Sequence, residues 1–222
     1  VFWKEPTDAQ LGQVFEIIKE SGGSEPGIIN GAEARRRAPW FSGVNPCAEI
    51  LLGNKAFCNL TEVDVGKFRD DNGGLDRALY VTARANYRQT LVNLDDGILQ
   101  RTWHENNEYL RLCGVGLTGI TTREDLNEYD YKRFRNIAVH GAYSMADELG
   151  TQRPKNVTTI KPSGTLSKIM DTTEGCHKPM GKYIFNNVNF SINDPMLPRL
   201  RAAGYHVVVN PTDEHNAIVT FP

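Results

Sequence analysis

The chain has 222 residues, of which 40% are hydrophobic and 23% charged, enough apolar material for one substantial core of an ordinary soluble globular protein. Its formal net charge is −2 and its basic residues are scattered, the longest cluster being Arg35-Arg36-Arg37. This excludes a nucleic-acid stripe, and no apolar run reaches the length of a membrane span, so small-molecule partners are expected rather than DNA or a bilayer. The opening VFWKEPTDAQ lacks the basic and apolar regions of a secretory signal, and a cytoplasmic location is expected.

In chain order, Thr7 to Gln10 reads as a capping box, with Leu11, Val14, Phe15 and Ile18 at helical spacing behind it and Gly22-Gly23 as the stop. A loop rich in Gly, Pro and Arg is expected from Gly22 to Pro39. Extended structure is expected over Asn45 to Leu52, followed by a polar kink at Gly53-Asn54 and a further run from Ala56 to Val65. Leu75 to Leu94 reads as a helix with Leu75, Ala78, Leu79, Thr82 and Ala85 on its apolar side, and Trp103 to Leu112 as a second. The glycines of Cys113 to Gly119 suggest close backbone approach. Phe134, Ile137, Ala138, Gly141, Ala142, Met145 and Leu149 mark a third long helix, stopped by Gly150.

Val157 to Ile160 has strand character and feeds the turn Lys161 to Thr165, with a short helix over Leu166 to Met170. Strands are expected over Tyr183 to Ile192, His206 to Val209 and Ala217 to Phe221, with a short helix at Asp194 to Ala203. Alternating strands and helices indicate an α/β chain. The last strand runs to the final residue, so the chain is expected to be one piece of a longer protein.

The four cysteines, Cys47, Cys58, Cys113 and Cys176, form no CxxC pair and no zinc pattern, and no metal ligand is assigned. His177 beside Cys176 lacks further ligands at suitable spacing and receives no role. Individual thiols are then candidates for chemistry. If Asn45 to Glu49 is extended, Asn45, Cys47 and Glu49 share one face and present an amide, a thiol and a carboxylate to one small ligand. Pro46 restricts Asn45 to extended geometry and suits an exposed loop tip. The plainer reading is a buried structural cysteine between polar neighbours, and the carboxylate on the same face weighs against it. Ile160 to Ser167 places a strand, the turn Pro162-Ser163-Gly164-Thr165 and a helix start in succession. The turn suits an anion, with Ser163 and Thr165 as hydroxyl donors, but it also reads as an ordinary N-cap. Lys161 is expected to be solvated, and Lys168 is left unassigned.

Asn45-Pro46-Cys47-Ala48-Glu49-Ile50, with Phe57-Cys58-Asn59-Leu60 following, resembles the active-site loop of ribonucleotide reductases, and its wording is similar to the adenosylcobalamin-dependent class. The resemblance extends to Glu25-Pro26-Gly27-Ile28-Ile29-Asn30, to Thr159-Ile160-Lys161-Pro162-Ser163-Gly164-Thr165-Leu166-Ser167 and to Phe190-Ser191-Ile192-Asn193-Asp194-Pro195. It implies that residues 1–222 form part of a ten-stranded α/β barrel truncated at both ends, with a central finger loop near 43–60 and a phosphate loop near 160–168.

The resemblance also implies roles. Cys47 would be the thiyl radical site, Glu49 the general base on the 3′-hydroxyl, Asn45 a ribose ligand, and Cys58 one half of the reducing dithiol. Pro162, Ser163, Gly164 and Thr165 would hold substrate phosphate. The partners implied are adenosylcobalamin, a ribonucleoside triphosphate (the resemblance being to the monomeric triphosphate-reducing form), a thioredoxin-like or dithiol reductant, and the N- and C-terminal remainder of the enzyme. The family's second reducing cysteine has no counterpart here, because Cys113 and Cys176 stand elsewhere and read as structural. The alternatives are a non-catalytic nucleotide-binding remnant, one piece of a split reductase, or a reductase with another radical generator.

Overall fold

The computed structural model describes residues 1–57, 59–179 and 181–222. They divide into two compact units, Val1–His177 and Lys178–Pro222. In the first, α1 (Asp8–Ser21) starts at Thr7, whose Oγ1 accepts the Gln10 amide at 3.3 Å while the Gln10 side chain accepts the Thr7 amide at 3.0 Å. Gly22, at φ 66°, ends it in the left-handed conformation that glycine takes without a Cβ penalty.

The expected loop at Gly22–Pro39 contains a second helix, α2 (Gly31–Arg37), capped by Asn30, whose side chain accepts the Glu33 amide at 3.0 Å. Glu33 then pairs with Arg36 at 2.7 Å and Arg37 at 2.6 Å, one and the same carboxylate balancing two exposed arginines. β1 (Gly43–Val44) and β2 (Leu51–Leu52) pair antiparallel, Gly43 opposite Leu52, and close a hairpin around Asn45–Ile50.

The body of this unit is a parallel α/β arrangement. β3 (Leu60–Asp64) is followed by α3 (Asn72–Gln89) and α4 (Arg101–Leu110), and then by β4 (Gly114–Thr118), which pairs parallel to β3 with Leu60 opposite Gly114. α5 (Glu128–Glu148) crosses back, and Val115 bridges Thr158 in parallel, so residues 156–159 extend the sheet. The buried stripe of α3 is Leu75, Leu79, Ala83 and Tyr87; the expected Ala85 is exposed. It packs on Phe134, Ala138, Ala142 and Met145 of α5, on Val63 and Val115 of the sheet, and on Val65 just after β3. The helices meet at Gly141, where an added Cβ would lie 2.5 Å from the Tyr80 carbonyl oxygen. Only glycine permits that approach.

Since Val63 faces the helices, the alternation of β3 sends its neighbours Glu62 and Asp64 to the opposite side of the sheet. α6 (Gly164–Ile169) closes the first unit. The second unit is a three-stranded antiparallel sheet in the order β5 (Asn186–Ser191), β7 (Asp213–Phe221), β6 (His206–Asn210), with α7 (Met196–Ala202). Leu197, Ala217 and Val219 form its core. Among the described residues no helix is long and apolar enough to cross a membrane.

Candidate active site

The hairpin stem holds a loop that is turned, not extended. The Ala48 amide donates to the Asn45 carbonyl at 2.9 Å, and Ala48 sits at φ 61°. This corrects the extended backbone expected over Asn45–Leu52, and two-residue alternation does not apply across the tip. What joins the residues instead is the Asn45 side chain. Its Nδ2 donates to Glu49 Oε2 at 2.6 Å, and its Oδ1 accepts the Ile50 amide at 3.0 Å. Asn45 is buried, Glu49 half-buried and Cys47 exposed, so the thiol is not the buried structural cysteine of the plainer reading. One N–H of the Asn45 amide has no partner among the described residues.

Cys47 and Glu49 line an open cleft of about 1200 Å³, whose wall also includes Thr158, Thr159 and Ile160. The loop is tied to that wall, since Thr159 Oγ1 donates to the Glu49 carbonyl at 2.6 Å. Ser163 lies four residues on from Thr159, at most about 14 Å of extended chain. The turn therefore stands within a nucleotide's length of the hairpin.

Within that turn, Gly164 and Thr165 are exposed, whereas Ser163 is 1% exposed and has φ 58°. Its hydroxyl donates to the Glu62 carboxylate, so it is directed into the protein and is not an open donor toward an anion. The amides of Gly164, Thr165 and Leu166 have no partner among the described residues. Lys161, expected to be solvated, is largely covered, its Nζ 3.7 Å from Glu62 Oε1. Lys168 pairs with Glu174 at 2.9 Å. Glu62 carried no distinctive mark in the sequence, since it stands in β3 beside Thr61 and a second carboxylate, Asp64.

Cys58 lies outside the described residues. Cys113 is buried, and desolvation pushes its thiol up to about 12, a structural role as expected. Cys176 is exposed, which corrects its reading as a buried structural thiol. Brief iodoacetamide treatment at pH 8 is expected to modify Cys47 and Cys176 and to spare Cys113 until the chain is unfolded, as peptide mass spectrometry would show. Rapid native labelling of Cys113 would contradict this environment.

No family model matches the chain. It is 29% identical to the adenosylcobalamin-dependent ribonucleoside-triphosphate reductase of Lacticaseibacillus paracasei, across 89% of this chain and 31% of that protein. It is 30% identical to the protein of the same name from Lactobacillus helveticus, across 88% of this chain and 31% of the relative. A crystal structure of a B12-dependent (class II) ribonucleotide reductase superposes with a TM-score of 0.75 at 25% identity, over 95% of this chain and 34% of that one. The chain is similar to adenosylcobalamin-dependent ribonucleotide reductases.

The class Id ribonucleotide reductase alpha subunit of Actinobacillus ureae gives a TM-score of 0.61 at 15% identity, over 88% of this chain and 43% of that one, a likeness of fold alone. The chain thus spans about a third of the length of the curated reductases it matches. The resemblance read from the motifs at 25–30, 45–60, 159–167 and 190–195 is the one these comparisons return, and the mixed helix and sheet structure has reductases as its neighbours.

Proposed function

We propose that this chain supplies the substrate-facing part of an adenosylcobalamin-dependent ribonucleoside-triphosphate reductase, within a ten-stranded α/β barrel completed by the rest of such an enzyme in the cytoplasm. The observation that carries the reading is the Asn45–Glu49 hydrogen bond, which holds a carboxylate two residues from an exposed thiol on one cleft. Cys47 lines this cleft and is exposed, so a radical source bound there would reach its sulfur. No residue of this chain is assigned to holding it. When bound, adenosylcobalamin supplies a radical by splitting its carbon–cobalt bond.

The residues then have distinct tasks. The Cys47 thiyl takes the hydrogen atom from C3′ of the ribose, becoming S–H and leaving a carbon radical. Glu49 accepts the 3′-hydroxyl proton while the C2′ hydroxyl, protonated by one thiol of the reducing dithiol, departs as water, and the spare Asn45 N–H fixes a ribose oxygen. Two electrons and two protons enter from a dithiol, Cys58 with a partner cysteine, which closes to a disulfide that a thioredoxin-like reductant reopens. The hydrogen atom returns from Cys47 to C3′, regenerating the thiyl. The amides of Gly164 and Thr165, with the Thr165 hydroxyl, cradle the triphosphate.

The test is to co-express this chain with the remaining portions of the reductase and to assay deoxynucleotide formation with and without adenosylcobalamin. Product is expected only with the cofactor. Cys58→Ser is expected to block repeated turnover while leaving radical formation intact. Product without cobalamin would point to another radical generator, and no product under any condition would favour a non-catalytic nucleotide-binding piece.

A further inference from the structure

Glu62 is an unexpected residue to find beneath an anion-binding turn. Its side chain is wholly shielded from solvent, on the face of the sheet away from α3 and α5. A buried carboxylate is unfavourable unless its charge and lone pairs are answered. One oxygen accepts the Ser163 hydroxyl. The other has no hydrogen-bond partner among the described residues and faces Lys161 Nζ at 3.7 Å, a distance that balances charge without forming a hydrogen bond. The Lys161 stem passes close over β4 at Gly116, where an added Cβ would lie 3.4 Å from the Lys161 Cβ.

Ser163 is the other half of the arrangement. At φ 58° it occupies a region that is costly for a residue with a Cβ, and such a conformation persists only where the surroundings enforce it. Its side chain makes no capping bond to the helix that follows, so its hydrogen bond to Glu62 is what fixes it. The left-handed Ser163 in turn sets the direction of the next amides, at Gly164 and Thr165. A bare carboxylate in this place would repel phosphate, and Lys161 offsets that charge.

We propose that Glu62 is a positioning residue for the phosphate turn, acting through the Ser163 hydroxyl, with Lys161 as its counter-charge. This rests on the phosphate reading above. Neither Glu62 nor Ser163 touches the ligand through its side chain; the ligand meets the amides they aim. The arrangement separates two properties of Glu62, its hydrogen-bond acceptor and its charge. Glu62→Gln keeps the acceptor and removes the charge, leaving Lys161 uncompensated near the turn. Glu62→Ala removes both.

The experiment follows the amide resonances of Ser163, Gly164 and Thr165 in the isotope-labelled 222-residue chain during titration with sodium tripolyphosphate. In the wild type the Gly164 and Thr165 signals are expected to move with the ligand. E62A is expected to displace all three before ligand is added and to weaken binding at least about tenfold. E62Q is expected to keep the turn signals near their wild-type positions and to bind tripolyphosphate as tightly as the wild type or more so. If E62A fails to fold, S163A removes the same hydrogen bond without touching the buried carboxylate and is expected to weaken binding likewise.

A wild-type response with E62A and S163A indifferent overturns the positioning role alone. Equal losses in E62Q and E62A overturn it too, because that is what a merely structural carboxylate would give. No response in the wild type sinks the phosphate reading, and with it the purpose assigned to Glu62.

Discussion

Cys47→Ser is expected to abolish deoxynucleotide formation by the reassembled reductase, even when an external dithiol is supplied in excess. Hydrogen transfer from ribose C3′ is reversible only if the bond formed on the protein is close in strength to the bond broken. An S–H bond meets that condition, and the stronger O–H bond of serine does not, so a serine side chain cannot be made the radical carrier. The substitution should leave the fold alone. Cys47 is exposed at a loop tip, and exposed substitutions of this kind usually change stability by less than about 0.5 kcal/mol. Loss of product with an unchanged melting temperature is therefore the expected pair of results. Product formation surviving in Cys47→Ser would remove the radical assignment, whatever the other variants do.

Cys113 behaves oppositely, and the contrast separates chemistry from packing. Its thiol stays protonated in the fold up to about 12, whereas in the unfolded chain it loses its proton near 9. Between those values the unfolded state holds fewer protons than the folded one, so stability falls as pH rises across that window. Below pH 9 this group has no such effect. Cys47 is exposed on the cleft, where a thiol can meet substrate, and Cys113 packs into the α3–α5 core.

Much of the scaffold was legible in the sequence because its causes are local. The Thr7–Gln10 capping box, the Gly22 stop and the stripe through Phe134, Ala138 and Met145 each lie within a few turns of one helix. α2 escaped because seven residues carry no apolar period; Asn30 followed by Glu33 was the one usable signal. The loop at Asn45–Ile50 was recognisable as a motif yet misjudged in shape. Pro46 argued for extension, and the turn depends on Asn45 capturing the Ile50 amide and on Ala48 adopting a positive φ, which composition does not mark. The inward turn of Ser163 was out of reach for a different reason. Its partner Glu62 stands 101 residues earlier, and only the pairing of β3 with β4 and of β4 with residues 157–159 brings them together. Cys176 shows the limit of composition, since a free cysteine is more often buried than not and this one is exposed.

Glu49→Gln is the variant that separates the general base from the radical chain. The amide is close in shape to the carboxylate, and its oxygen can still accept the Asn45 Nδ2–H that now spans 2.6 Å, so the loop should keep its turn. What the amide cannot do is take the 3′-hydroxyl proton, and losing such a base typically costs about 10²–10⁴-fold in rate. That loss is expected in kcat, with KM changed little, because the interaction removed is made as the proton moves rather than when substrate binds. Hydrogen exchange between Cys47 and C3′ should continue, since that step precedes departure of water and needs no proton acceptor. The measurement is isotope exchange at C3′ beside deoxynucleotide formation in the same sample. Exchange retained with product lost is the expected signature. Turnover near the wild-type rate would show that some other group takes the proton, and the contact with Asn45 would then be a device for shaping the loop alone.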